Sequence, residues 1–133
     1  DTFKLFLSDI GILNNLLNIS INDILNDNLK IYKGIITENY VANQLLANEI
    51  PLFYWKNKQN VEVDFLIETK DGIIPIEVKS SDNTQSKSLK IYNGLFNPPY
   101  AIRMSTKDFG YNSETKIKSV PLYATFLIKD LIK

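Results

Sequence analysis

The chain has 133 residues, 44% of them hydrophobic, which is enough for one domain with a sizeable core. Its 15 basic and 15 acidic residues cancel, so no global positive field attracts nucleic acid and any such contact must be local. There is no histidine and no cysteine, which excludes Ser-His-Asp catalysis, histidine-based metal sites, zinc ribbons, thiol nucleophiles and disulfides.

The first thirty residues are predicted to form an ordered lead-in. The stretch is rich in asparagine, but its apolar residues remain periodic. We expect a strand at 3–7, a helix at 10–17 and a short helix at 21–27.

A longer helix is predicted over 35–49, with Thr37 and Asn39 near its start and Pro51 beyond its end. At about 100° per residue, four apolar side chains share one stripe of this helix: Ile35, Val41, Ala42 and Leu45. Glu38 lies at the centre of the stripe, where a buried acid is costly unless a lysine or a metal pairs with it. The alternative is an ordinary first-turn glutamate that the helix dipole stabilises.

Three strands are predicted next. The first is expected at 52–56 and is followed by a turn at 57–60. Apolar and polar residues then alternate over 61–68 and again over 74–79, which is the period of a strand. The tetrapeptide Thr69-Lys70-Asp71-Gly72 between them is a strong hairpin signal, so we expect an antiparallel pair.

The hairpin allows two registers. With the turn at 70–71, Asp64 faces Glu77; with the turn at 71–72, Asp64 faces Lys79. Both registers put Asp64, Glu77 and Lys79 on one face and the Val, Ile and Phe side chains on the other, and only a bulge would change that parity. Cross-strand Cβ atoms approach to roughly 5 Å, so two carboxylates on one face can share a cation.

These three side chains are the candidate site. Two carboxylates so close repel, and without a cation one of them would hold a proton through a raised pKa. A bound Mg²⁺ or Mn²⁺ removes this conflict, because hard cations prefer oxygen ligands. Lys79 beside the metal would orient or deprotonate a water, or stabilise charge that develops on phosphorus. The alternative is an amphipathic hairpin whose charged face is only solvated.

The predicted fold class is α/β, with a mixed central sheet of about four strands flanked by helices. The elements expected after the hairpin are a loop at 80–84, a helix from 84 or 85 to 96, a strand at 101–105, a loop at 108–114 and a helix at 121–132. Asn97-Pro98-Pro99 ends the first of these helices. The strand that follows most simply joins the strand of Glu77 in parallel.

Seven of the basic residues are candidates for a local strip that contacts nucleic acid: Lys56, Lys58, Lys79, Lys87, Lys90, Arg103 and Lys107. Ordinary surface solvation is the simpler explanation for most of them.

An acid on a helix, a lone Asp on one strand and Glu-x-Lys on the next strand resemble the PD-(D/E)xK nuclease superfamily. The sequence resembles one branch more closely still, a domain of unknown function found C-terminal to AAA-type ATPase modules in bacterial and archaeal proteins. The matching segments cover nearly the whole chain and are 4–13, 38–45, 53–56, 62–67, 75–80 and 121–124. Glu-x-Lys alone is a weak signal, but the ordered set is specific.

The resemblance implies a single nuclease-like domain over 1–133 with a restriction-endonuclease-like three-layer core. In it, 1–30 would be a lead-in from an upstream ATPase module and 31–133 the core. Asp64 and Glu77 would be the ligands of Mg²⁺ or Mn²⁺, with the Val78 carbonyl as a third oxygen. The catalytic lysine would be Lys79, and Glu38 would complete the site. Nucleic acid would meet polar or basic residues: Lys56, Gln85, Lys87 and Lys90.

Three classes of function are therefore expected. The first is a metal-dependent nuclease that hydrolyses phosphodiester bonds of DNA. The second is a catalytically silent module of the same fold, which serves the ATPase by binding nucleic acid or protein. The third is a structural domain in which Glu38 and Lys79 form a buried ion pair.

The setting of the domain is also an expectation. The chain carries no P-loop and begins at Asp1 rather than Met, so we expect a domain of a longer protein whose ATPase lies upstream. No apolar run is long enough to span a bilayer and no secretory signal is visible, from which we expect a cytoplasmic location. Dimers are common in the superfamily, so a homo-oligomer is compatible with the resemblance.

Overall fold

A six-stranded mixed sheet forms the centre of the fold in a computed structural model that describes residues 3–29, 31–81 and 86–133. The strands are β1 (Phe53–Lys56), β2 (Glu62–Thr69), β3 (Gly72–Val78), β4 (Ala101–Ser105), β5 (Gly110–Asn112) and β6 (Ile117–Pro121). Their order is β1-β2-β3-β4-β6-β5, with β3, β4 and β6 parallel and the remaining pairs antiparallel. The parallel pairing of β4 with β3 confirms that expectation.

The helices lie on both faces of this sheet. They are α1 (Ile10–Leu16), α2 (Ile21–Leu25), α3 (Tyr32–Ala47), α4 (Lys87–Phe96) and α5 (Ile128–Leu131), with a 3₁₀ helix at Leu122–Leu127. One hydrophobic core joins α3 and α5 to one face through residues such as Leu45 and Ile128. A second, smaller core joins α4 to the other face through Leu89 and Tyr92. The domain is thus α/β, with layers α3, sheet and α4.

The expectation of about four strands was wrong, because β5 and β6 were missed. All three residues of β5 are exposed at the sheet edge, so they show no apolar alternation, and they lie inside the loop expected at 108–114. In β6 the buried positions are at the two ends, Ile117 and Val120–Pro121, which also breaks a period of two. β6 forms because it pairs with β4, and this pairing leaves no pattern within the β6 segment itself.

The chain ends also differ from expectation. No strand forms at 3–7; this segment runs irregularly and is held by two hydrogen bonds between Leu7 and the Asn39 side chain. The expected helix at 121–132 is mostly a 3₁₀ helix with only four α-helical residues after it. In the tighter turn, the Thr125 hydroxyl donates to the Leu122 carbonyl over 2.7 Å.

The helix α3 ends for a reason other than Pro51. Glu49 adopts a left-handed φ of 57°, and two backbone bonds close the end: Ile50 N–H to Leu45 C=O and Glu49 N–H to Leu46 C=O. These are the two bonds of a Schellman motif, and Ile50 also packs in the same core as Leu45. The helix therefore stops at Ala47, two residues before the expected end.

The hairpin adopts the first of the two registers. Glu68 pairs with Ile73 and Thr69 with Gly72, so the turn lies at 70–71. Continued by one step beyond the pair Phe65–Ile76, this register sets Asp64 opposite Glu77.

A bulge in β2 changes the face of the sheet on which some of its side chains lie. Phe53 pairs with Leu66 but Trp55 pairs with Val63, so β2 has one residue more than β1 over this stretch. As a result Val63 packs in the α4-side core, whereas Phe65 packs in the α3-side core. The expectation of one apolar face is therefore wrong for β2, although it holds for Ile74, Ile76 and Val78 of β3. Asp64 occupies the bulge.

The described helices, α1 to α5 and the 3₁₀ helix, include none that is long and apolar enough to cross a membrane.

Candidate functional site

The ammonium group of Lys4 lies among three carboxylates. Its Nζ is 2.7 Å from Glu38 Oε1, 2.5 Å from Glu62 Oε1 and 3.7 Å from Asp64 Oδ1. All four side chains are largely withdrawn from water; those of Lys4 and Asp64 are 17% and 18% exposed. We refer to Glu38, Glu62 and Asp64 as the acidic cluster.

Three separate parts of the chain place these groups. Glu38 is on α3, Glu62 is the first residue of β2, and Asp64 follows in the bulge. Lys4 comes from the N-terminal segment, which Asn39 holds by accepting from Leu7 N–H over 2.8 Å and donating to Leu7 C=O over 3.0 Å. Because Asn39 follows Glu38 directly, the same turn of α3 positions the acid and the segment that delivers the lysine.

The charge of Lys4 is stabilised by its partners. Burial favours the neutral amine, but hydrogen bonds to Glu38 and Glu62 and the charges of Glu38 and Asp64 outweigh it, so the pKa of Lys4 is raised. Lys4 Nζ also lies 5.4 Å from the centre of the Tyr54 ring, which adds a cation–π contact.

The environment of Asp64 changes how readily its carboxyl ionises. Burial, followed by the nearby charge of Glu77, raises its pKa from 3.8 to about 7. The charge of Glu38 acts in the same direction, whereas Lys4 and a hydrogen bond from Val78 N–H to Asp64 Oδ2, 2.7 Å long, oppose the shift. Asp64 therefore changes charge near neutral pH, where a metal competes with a proton for it.

Glu77 lies beside the cluster and is 4% exposed. Its Oε1 is 2.6 Å from Lys79 Nζ, and its Oε2 accepts from the Ser88 hydroxyl over 2.7 Å. Ser88 is the second residue of α4, so this helix orients the buried carboxylate. A buried acid held by a lysine and a hydroxyl is compensated on both oxygens.

The predicted site residues thus divide between two groups that adjoin at Asp64. Among the described residues, the acids whose oxygens all lie within 4.8 Å of one another are those of the acidic cluster, and Glu77 is not one of them. Glu77 and Lys79 come together as expected, but the ion pair expected between Glu38 and Lys79 is not formed, because Glu38 pairs with Lys4. Val78 contributes its N–H to Asp64. A role for its carbonyl as a metal ligand stays a prediction.

The residues expected to contact nucleic acid are more scattered. Lys56 lies 3.7 Å from Glu62 at the rim of the acidic cluster. Lys87 and Lys90 line a cavity beside α4. Gln85 lies outside the described residues.

Three functional candidates were missed from the sequence: Lys4, Glu62 and Ser88. Lys4 and Glu62 do stand at the starts of two segments that carry the family resemblance, 4–13 and 62–67, but no role was assigned to them. Ser88 gave no signal, since one serine near a helix start is commonplace.

The donor set fits a hard divalent cation. Three carboxylates offer the oxygen ligands that Mg²⁺ and Mn²⁺ prefer, and the ammonium of Lys4 demonstrates that a cation is accommodated among them. The cluster could therefore hold a metal through Glu38, Glu62 and Asp64, with Glu77 adjacent.

Comparisons with known proteins place the chain in a family. It is 32% identical over 90 residues to "Uncharacterized protein Rv2008c" of Mycobacterium tuberculosis and to "Uncharacterized protein Mb2031c" of Mycobacterium bovis. The match covers 65% of this chain but only 20% of each relative, so the chain spans about a fifth of their length. No solved structure matches. A family profile matches residues 33–124, and the chain therefore belongs to the family described as Domain of unknown function (DUF4143).

Proposed function

We propose that this domain is a metal-dependent nuclease that hydrolyses phosphodiester bonds of DNA. The observation that carries the proposal is the acidic cluster, in which three carboxylates surround one cation, next to the buried Glu77 and its partner Lys79. The resemblance to the PD-(D/E)xK superfamily supports it, because the ordered acid, Asp and Glu-x-Lys are all present.

The metal would be Mg²⁺ or Mn²⁺, held by Asp64 together with acids on either side of it. Glu38 and Glu62 are available on the α3 side, and Glu77 on the α4 side. When bound, such an ion supplies Lewis-acid polarisation of the phosphodiester and a more acidic water. Its binding requires ionised ligands, so Asp64 must lose its proton, which occurs near pH 7.

The chain's own residues would position and protect the reacting groups. Lys79, held by Glu77, presents an ammonium that can orient a water or stabilise negative charge on the phosphate. Ser88 fixes the other oxygen of Glu77, and Val78 N–H fixes one oxygen of Asp64. These two bonds fix one oxygen of each carboxylate, while Glu77 Oε1 holds Lys79 and Asp64 Oδ1 lies 3.7 Å from Lys4 Nζ, so the charged groups are held in place as a preorganised site needs.

Lys4 has a defined part in this proposal. Its ammonium neutralises the acidic cluster in the structure, so a divalent ion that takes all three carboxylates would displace it. Lys4 would then compete with the metal for the three carboxylates and neutralise their charge when no metal is bound.

A second candidate function rests on the same lysine. If Lys4 is not displaced, the cluster is a satisfied internal ion network, and the domain is a catalytically silent module of nuclease fold that serves by binding nucleic acid or protein. The short distances of 2.7 and 2.5 Å from Lys4 to Glu38 and Glu62 favour this alternative.

For both candidates we propose an AAA-type ATPase module of the same polypeptide as the partner. The matched segment is about a fifth of the mycobacterial relatives, which leaves ample room for further domains in them. Neither α1 nor α2 contains a buried residue, and large apolar side chains on them are exposed: Ile12, Leu16, Ile21, Ile24 and Leu25. Such a surface suits a contact with another domain.

A plasmid nicking assay tests the nuclease directly. Supercoiled DNA is incubated with the domain in Mg²⁺, Mn²⁺ or EDTA. We expect cleavage with either metal, none in EDTA, and a loss of at least about a hundredfold in Lys79→Ala and Asp64→Asn. Lys70→Gln is the matched control, because Lys70 is an exposed lysine in the hairpin turn.

The outcomes separate the candidates. Cleavage that persists in Lys79→Ala comes from a contaminant and defeats the proposal. Binding of Mn²⁺ that Asp64→Asn abolishes, without cleavage by the folded domain, supports the silent module. Absence of Mn²⁺ binding leaves a purely structural network. Circular dichroism of each variant checks that it is folded.

A further inference from the structure

A cavity of about 520 Å³ opens beside the start of α4, away from the acidic cluster. Six polar or charged residues line it: Ser86, Lys87, Lys90, Arg103, Asn112 and Thr115. Three of them are cationic, and no acidic residue is among its described lining residues. In a chain of balanced charge, this is a locally positive pocket, which attracts an anion.

The start of α4 adds to this field. Ser86 is the N-cap residue, yet its side chain makes no capping hydrogen bond to the first turn. The helix has ten residues, and its first N–H groups and dipole favour an anion at this end. No acidic residue occupies the first turn to take that role.

Ser86 itself points to a ligand. The residue is only 8% exposed, and among the described residues its hydroxyl has no hydrogen-bond partner. A buried hydroxyl without a partner costs free energy unless something fills its bonding capacity. An anion in the cavity that accepts from Ser86 Oγ would provide the missing bond.

We infer that this cavity binds a phosphate group. A phosphate monoester carries a charge of about −1.5 to −2 at pH 7 and offers several acceptor oxygens, which suits Lys87, Lys90 and the Ser86 hydroxyl. The same chemistry is presented by free inorganic phosphate and by the terminal phosphate of a DNA strand.

The pocket is close to the proposed reaction site but distinct from it. Arg103 on β4 pairs in register with Glu77 on β3, and Ser88, which donates to Glu77, follows Lys87 directly. A phosphate bound here would lie next to the Glu77–Lys79 pair without contacting the acidic cluster. Binding therefore requires no hydrolysis, and the inference holds for either function proposed above.

The test is a titration followed by amide chemical shifts of the ¹⁵N-labelled domain. It is done in EDTA and with the Asp64→Asn variant, so that neither metal nor cleavage contributes. The probes are inorganic phosphate and a short oligodeoxynucleotide with either a 5′-phosphate or a 5′-hydroxyl. We expect saturable shifts at residues 86–90, and at least about tenfold weaker binding in the double variant Lys87→Gln/Lys90→Gln.

Two controls make the result decisive. Ser86→Ala keeps both lysines and is expected to weaken phosphate binding, whereas Lys70→Gln is expected to leave it unchanged. Preference for the 5′-phosphorylated strand identifies a DNA end as the source of the phosphate, and binding of inorganic phosphate alone identifies a small anion; both support the site. Absence of binding, or equal weakening in Lys70→Gln and the double variant, overturns it.

Discussion

The raised pKa of Asp64 makes the stability of the domain depend on pH in a defined direction. The carboxyl titrates at about 7 in the folded state against 3.8 in the unfolded chain, so folding favours its neutral form. This contribution is fully present below pH 3.8 and is lost as the pH rises through 7. The rise of this pKa from 3.8 to about 7 corresponds to a loss of about 4 kcal/mol of stability between pH 4 and pH 8.

Asp64→Asn removes this titration while keeping an oxygen that can accept from Val78 N–H. The free energy of unfolding is measured by urea denaturation at pH values from 4 to 8 in EDTA. We expect the wild type to lose about 4 kcal/mol relative to the variant over this range, about 1.4 kcal/mol per pH unit at the steepest part. Such a loss is large beside a typical total stability of about 5–15 kcal/mol.

Asp108→Asn serves as the control, since Asp108 is an exposed acid outside the site. Its difference from the wild type should stay within about 0.5 kcal/mol at every pH. If the cluster binds metal, Mg²⁺ at a hundredfold excess over Kd returns about 2.7 kcal/mol to the wild type at pH 8 but not to Asp64→Asn. A wild-type minus Asp64→Asn difference that is flat from pH 4 to pH 8 would refute the electrostatic reasoning.

Four other substitutions have defined outcomes. Lys4→Met leaves the carboxylates uncompensated and should cost about 3 kcal/mol at pH 8 in urea denaturation, with recovery in Mg²⁺; no recovery would argue against a metal site. Asn39→Ala removes both bonds to Leu7 and should cost about 2 kcal/mol, seen as faster hydrogen exchange of the Leu7 amide; unchanged exchange would contradict this anchoring. Gly72→Ala should lower the stability by about 1–3 kcal/mol because the backbone there has a φ of +128°. Gly34→Ala on α3 should raise the stability by about 0.5–1 kcal/mol, because the added methyl group would meet no atom within 4 Å. Thermal melts measure both changes. Equal effects of the two glycine changes would rule out backbone strain at position 72.

Local patterns predicted much of the framework. Helices were expected within three residues of the observed ends of α1, α2 and α3, and the antiparallel hairpin of β2 and β3 has one of the two expected registers. Left-handed Asn97, with φ of 43°, and Pro98 end α4 where the sequence indicated. These features depend on residues within one turn or one hairpin, so a single segment contains their cause.

The site was only partly accessible to such reasoning. Glu77 lies on β3 and Lys79 directly follows the end of that strand, two residues further on, so their contact follows from the strand period. The bulge at Asp64 does not, because it appears only when β1 pairs with β2 and the two strands differ by one residue. Without the bulge, parity would have placed Val63 and Phe65 in one core.

The amino-acid sequence by itself thus determined the helices α1 to α4, the β2–β3 hairpin and which acids stand on its two strands, since these follow from periodicity and turn chemistry, whereas β5 and β6 form only through sheet pairing. Tertiary structure decided which cation meets those acids. Lys4 and Glu38 are 34 positions apart, and no local sequence pattern predicts their contact. The contact arises because Asn39 hydrogen-bonds to the backbone of Leu7 and so holds the N-terminal segment against α3. Lys4 then lies next to the acidic cluster, and charges withdrawn from water are stable only when they are paired.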